Sequence, residues 1–250
     1  MEQLLHCVMD IGEQMLCSGA EVHRVEESIQ RMCGALGAAR VDVFIITSSM
    51  VVTVFTDEDH SCTQTRRIMG ATTDFERLHH LNALCRRICE QPLTAAEIRE
   101  ELARIAERKV YPLWLECAAY ACIAGAFTLF FGGSVTEMAV SSVIGLAVRL
   151  GIMLLDRVIS NKIFSKFFSA VLATVLAFTA VRLGFITDVD KIIIGNIMTL
   201  IPGIGMTNAL RDLFTGDSIA GLLRSIEAVL TAGAIAAGYF LVAALGGFAL

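Results

Sequence analysis

Residues 228–250 read AVLTAGAIAAGYFLVAALGGFAL, 23 residues without a charge. A helix needs about 20 mostly apolar residues to cross the hydrocarbon of a bilayer. This stretch alone takes the chain out of the class of soluble domains. The signature recurs upstream. Cys117–Thr136 has 20 uncharged residues and Ile192–Leu210 has 19. Phe167–Val181 has 15, and it reaches the needed length when Lys166 and Arg182 snorkel to the interfaces. Between Glu137 and Asp156 only Arg149 is charged. These runs predict five membrane helices, near 112–132, 135–155, 163–183, 190–210 and 222–246. Tyr111 and Trp114 mark an interface at the start of the first.

Composition divides the chain at the same place. Residues 1–110 hold 29 of the 45 charges, and the acidic excess of five belongs entirely to them. Neither half is basic enough to argue for nucleic acid. The start, Met-Glu-Gln-Leu-Leu-His, lacks the basic and then continuously apolar pattern of a signal peptide. Cys7, Cys17, Cys33, Cys62, Cys85 and Cys89 therefore read as reduced thiols of a cytosolic domain.

Within residues 1–110, periodicity predicts helices at 2–17 and 20–36, strands at 40–46, 50–56 and 61–69, and helices near 74–90 and 94–109. Asp57-Glu58-Asp59 reads as a turn, and Gly34 and Gly37 as the end of the second helix. Ser18-Gly19-Ala20-Glu21 matches a capping box, as do Thr94 and Glu97. The predicted fold class is an α-helical integral membrane protein with about five transmembrane helices and an N-terminal cytoplasmic α+β domain, the boundary falling near residue 110. Orientation follows the basic residues. Arg104, Arg108 and Lys109 precede the first membrane helix, Arg157, Lys162 and Lys166 flank the second loop, and Arg211 and Arg224 lie near the fourth. The first loop and the C-terminal tail have none. This bias places the N-terminal domain in the cytoplasm of a multi-pass inner-membrane protein.

The stretch most suggestive of chemistry is 195–208. Pro202 removes a backbone donor, and Gly203 and Gly205 weaken the helix further. Broken backbone at membrane depth is tolerated only inside protein or beside a water-filled cavity. Transporters use such breaks to bind substrate. Asn196, Thr199, Thr207 and Asn208 flank the break as candidate substrate contacts, together with Pro202 and Gly203 themselves. Gly195, Thr199, Gly203 and Thr207 recur every four residues and could instead give a smooth packing face. Arg149 is the charge expected inside the hydrocarbon, with Glu137, Glu227 or Asp212 as its partner. Arg149 and Asp212 join the candidate transport pathway, and Glu137, Arg224 and Glu227 are candidates for a proton or charge relay. The plain alternative is snorkelling at helix ends, with Arg224 and Glu227 pairing across three residues.

Other signals point to no cofactor. His79-His80 with Cys85 and Cys89 does not follow a zinc spacing, and no Gly-rich phosphate loop appears. Glu21, His23, Arg24, Glu26 and Glu27 could supply acid–base groups, or could simply be a solvated helix face.

Two blocks resemble the threonine/serine exporter family, in the subunit form with a cytoplasmic domain and the first five membrane helices. One is Ser18-Gly19-Ala20-Glu21 with Arg24-Val25-Glu26. The other is Pro202-Gly203, Asn208-Ala209-Leu210-Arg211-Asp212, Gly216-Asp217, Gly221, and Arg224 with Glu227-Ala228. The resemblance implies export of small polar metabolites, threonine and serine first, driven by the proton gradient. In that family single long chains carry about ten helices, and split systems place the second half on a smaller subunit. Some split systems export dicarboxylates such as succinate. It therefore implies a smaller membrane partner subunit or a homo-oligomer within the lipid bilayer. The family's cytoplasmic domain has been likened to hydrolases, but no nucleophile–base arrangement appears here. Beside transport stand two readings of other classes, a membrane-anchored hydrolase and a regulatory subunit.

Overall fold

The computed structural model describes residues 2–56, 60–70, 72–107, 111–159, 161–186 and 188–246. The predicted turn at Asp57-Glu58-Asp59 lies outside them, as do Arg108 and Lys109. Two compact units form. One is Met1–Lys109 with Met206–Ser225, the other Val110–Gly205 with Ile226–Leu250.

In the first unit the element order is α1 (Glu2–Cys17), α2 (Val22–Ala35), β1 (Arg40–Ile46), β2 (Ser49–Phe55), β3 (Ser61–Arg67), α3 (Phe75–Glu90) and α4 (Ala95–Ala106). The strands pair antiparallel in the order β1-β2-β3, with Val52 of β2 opposite Val43 and Gln64. Because side chains alternate across a strand, Met50, Val52 and Val54 all point inward. They meet the apolar stripes of α1 (Leu5, Val8, Met15) and α2 (Val25, Ile29, Met32). Gly12 allows this closeness, since a Cβ there would stand 2.8 Å from Ile29 Cδ1 and 2.9 Å from Met50 Cε. The cysteines are free thiols, and burial pushes Cys33 and Cys85 up to about 12.

Thr94 caps α4 in the predicted capping box with Glu97. The other predicted box is absent. Glu21, not Ser18, is the N-cap of α2, and no side-chain cap bond forms. Ser18 instead belongs to a tight turn. Gly19 sits at φ +93°, and the Ser18 carbonyl accepts from Asp74 N at 3.1 Å. Gly34 lies within α2, and only Gly37 terminates it, at φ +95°. The third strand stops at Arg67, two residues short of the expected end.

The second unit contains α5 (Leu113–Phe130), α6 (Val135–Leu155), α7 (Lys162–Arg182), α8 (Val189–Met198) and most of α10 (Ser218–Leu245). Among the described residues four helices are long and apolar enough to cross a membrane, or up to five if a bent pair counts as one span. Val135, Val143, Leu154, Phe164 and Val229 stay exposed, as lipid-facing side chains do. The inner faces are small and close. A Cβ on Gly145 would lie 2.8 Å from Tyr120 O, and one on Gly195 2.8 Å from Ala124 O. Stripes of this kind let helix backbones approach in lipid.

The predicted fourth span is the bent pair: α8 and α9 (Gly203–Thr215), broken over four residues and bent by 56°. The reason is local. Proline disfavours helical backbone in the residue before it, so α8 ends before Ile201. The Thr199 hydroxyl and the Leu200 and Ile201 N–H groups turn back on the Asn196 and Ile197 carbonyls. The smooth four-residue face does not form: Gly195 is packed, while a Cβ on Gly203 would meet nothing within 4 Å. Both helices after the break are longer than predicted. They join at Gly216-Asp217, and Gly221 would place a Cβ 2.9 Å from Ala209 O.

Candidate functional site

Arg149 finds a partner that the sequence reading did not name. Its Nε donates to Glu116 Oε2 at 2.9 Å and its NH2 reaches the same oxygen. The guanidinium also stands 5.8 Å from the Tyr120 ring centroid. None of the three predicted partners is used. Glu137 lies twelve residues away on the same helix, about 18 Å along the axis. It closes a capping box at the head of α6, accepting from Ser134 N at 2.7 Å. Asp212 pairs with Arg224, and Glu227 is exposed.

The pair is one rung of a longer ladder. On α5, Glu116, Tyr120, Ala124 and Thr128 recur every four residues. On α6, Glu137, Ser141, Gly145 and Arg149 do the same. The helices run antiparallel, so the rows meet in reverse order. Glu116 bonds Arg149, Tyr120 backs onto Gly145, Ser141 Oγ donates to Ala124 O at 3.1 Å, and Thr128 Oγ1 donates to Ser141 Oγ at 2.7 Å. On α5 these contacts run from Glu116 to Thr128, about 18 Å of a hydrocarbon layer about 30 Å thick. Asn196 of α8 joins the ladder, donating from Nδ2 to Ser141 Oγ at 2.9 Å and to Ile192 O at 3.0 Å. The cluster of Thr128, Ser141 and Asn196 is fully buried. At the C-terminal end of α6, Ser165 Oγ of α7 donates to Asp156 Oδ1 at 2.8 Å.

The remaining candidates fall in the first unit, around the turn at 18–21. Three side chains of the second sequence block hold three consecutive residues of the first. Asn208 Nδ2 donates to Gly19 O at 3.4 Å, Arg224 NH2 donates to Ala20 O at 2.9 Å, and Arg211 pairs with Glu21. Arg224 also faces the buried Asp212 carboxylate at 3.2 Å. The predicted Arg224–Glu227 pairing does not occur, because Asp212 comes closer through the α9–α10 turn. Thr207 is exposed on α9. Among the suggested acid–base groups, Glu27 is taken by Arg24 and Arg31. Glu26 Oε1 accepts from Ile45 N at 3.0 Å. Burial pushes the Glu26 carboxyl above its ordinary range; the Ile45 N–H draws it part of the way back, and Asp217 raises it again. Among the described residues no group of three or more His, Cys, Asp or Glu could hold a metal ion.

Tyr120, Thr128, Ser141 and Glu116 escaped the sequence reading. Their four-residue spacing was visible, but each row looks ordinary until the antiparallel register sets one against the other.

Comparison with known proteins agrees over nearly the whole chain. The family model described as "Putative threonine/serine exporter" matches residues 6–246. The chain is 27% identical over 237 residues to "Probable threonine/serine exporter" of Mycobacterium tuberculosis, covering 93% of this chain and 44% of that one. It is 24% identical over 240 residues to "Threonine/serine exporter" of Corynebacterium glutamicum, covering 91% and 48%. "Pheromone-regulated membrane protein 10" of Kluyveromyces lactis matches at 23% over 251 residues, covering 96% and 26%. The chain thus spans less than half the length of these relatives. No solved structure matches.

Proposed function

The chain belongs to the threonine/serine exporter family, and from that premise we propose that it exports small hydroxy amino acids along the α5–α6–α8 ladder. The observation that carries this reading is the neutral Glu116–Arg149 pair on that ladder. Ionisable groups between membrane helices are expensive and mark transport paths. A zwitterion can exchange with such a pair, its carboxylate meeting Arg149 and its ammonium meeting Glu116, without leaving net charge behind. A dicarboxylate fits less well: the one arginine of the ladder is already neutralised, and Glu137 adds a second carboxylate.

The N-terminal domain lies in the cytoplasm in this reading, which the basic residues beside the membrane helices support. Export is driven by the proton gradient, with Glu137, Asp212, Arg224 and Glu227 as candidate relay groups. Thr199, Pro202 and Gly203, at the end of α8, flank the route, and Thr207 and Asn208 stay candidate substrate contacts. A second membrane chain or a second copy completes the transporter in this reading, as the resemblance to the family implies.

The test is reconstitution into vesicles, with and without a co-expressed partner chain, under an imposed proton gradient. Efflux of labelled threonine and serine above that of succinate is expected. Succinate efflux without threonine efflux would overturn the substrate assignment. Transport insensitive to collapse of the gradient would overturn the coupling. Protease accessibility of residues 1–110 from outside intact spheroplasts would overturn the orientation.

A further inference from the structure

One buried atom of the ladder is left over. Asn196 is 1% exposed, and its Oδ1 accepts no hydrogen bond among the described residues. The amide cannot simply be turned round. Ile192 O is a carbonyl and only accepts, so the amide nitrogen must face it at 3.0 Å. Both amide hydrogens are then committed, one to Ile192 O and one to Ser141 Oγ. The neighbouring hydroxyls have spent their hydrogens too: Ser141 on Ala124 O, and Thr128 on Ala124 O or Ser141 Oγ. Every donor in the cluster is used, and one good acceptor is not. Buried polar atoms without a partner are uncommon, and each calls for a reason.

We propose that the Thr128–Ser141–Asn196 cluster is a hydroxyl-recognising subsite, in which Asn196 Oδ1 accepts the side-chain O–H of the exported amino acid. The inference rests on the ladder being the export path. It adds a chemical reason for selecting hydroxy amino acids, since a site built around an unpaired acceptor rejects analogues that cannot donate to it. The subsite is closed here, because α8 seats Gly195 directly against Thr128 and Ala124. Access requires α8 to tilt away from α5. The helix ends close to this contact: it stops at Met198, ahead of Pro202.

The experiment compares efflux of threonine with that of 2-aminobutyrate, which has the same skeleton without the hydroxyl, from cells expressing the full chain. The wild type is expected to prefer threonine. Asn196→Leu should lower the threonine-to-aminobutyrate ratio about tenfold, the size expected for one lost hydrogen bond to a buried acceptor. The protein should still reach the membrane, and threonine efflux should fall further than aminobutyrate efflux. If Asn196→Leu does not accumulate, Asn196→Ala carries the test, because it removes the same acceptor without adding bulk and should lower the same ratio several-fold. A ratio within twofold of wild type in a variant present in the membrane overturns the subsite, as does an equal fall for both substrates. A wild type that exports both without preference overturns the subsite alone. A wild type that exports neither overturns the exporter reading and the subsite with it.

Discussion

Removing Arg149 should cost stability as well as transport, and removing its partner with it should restore only the stability. The Arg149 and Glu116 side chains are 19% and 26% exposed, and both Nε and NH2 of Arg149 bond one carboxylate oxygen. Breaking a buried pair by deleting one partner costs about 3–5 kcal/mol, because the other charge is left uncompensated. Residual exposure puts this pair at the lower end, about 3 kcal/mol. For a chain of this size 1 kcal/mol moves the melting temperature by about 2–4 °C, so Arg149→Leu should melt about 6–12 °C lower in detergent. Glu116→Gln should fall less, since the amide oxygen introduced there still accepts from Arg149. The double variant Glu116→Gln/Arg149→Leu should recover most of the loss, giving a coupling energy well above the 0.5 kcal/mol within which independent sites add. Transport should stay abolished in all three, because no pair remains to exchange with a zwitterion. The measurement is a double-mutant cycle of thermal melts alongside threonine efflux. Strict additivity would refute the pairing, and efflux by the double variant would refute its role in the path.

Gly195→Val should destabilise the chain by about 1–3 kcal/mol, because its side chain meets Thr128 and the Ala124 carbonyl; an unchanged melt would show that α8 does not seat there. Arg224→Ala leaves the 1%-exposed Asp212 unpaired and should cost about 3 kcal/mol. Arg211→Ala, whose pair with Glu21 is half exposed, should cost at most about 1 kcal/mol. Chemical unfolding of both variants separates the two, and equal losses would refute the ranking. Glu26 is held above its ordinary value of 4.5, mainly by burial. The folded state therefore keeps its proton to higher pH than the unfolded state does. Stability from this group is present below the unfolded value and is lost as pH rises from about 4.5 through the raised one. Glu26→Gln should flatten that slope in melts across pH 4.5–7; an identical slope would remove Glu26 as its source.

Several features were legible before any coordinates. Uncharged length alone decided the membrane helices, because lipid offers the backbone no hydrogen bonds and only a long apolar helix can satisfy itself there. Thr94 and Glu97 announced the start of α4 because a capping box is settled within one turn. β-branched runs marked β1 and β2 for the same local reason. Pro202 marked a break, since proline acts on its immediate neighbours. What lay beyond one turn was decided by tertiary structure. Ser18-Gly19-Ala20-Glu21 has the spacing of a capping box, yet it became a turn whose carbonyls are held by Asn208 and Arg224, nearly two hundred residues away. Arg149 had several carboxylates within sequence reach, and it took Glu116 because the antiparallel register of α5 and α6 brings those two together. A helix lists its side chains in order but does not say which neighbour each will face. Charge pairs and the unpaired oxygen of Asn196 exist only once that register is set.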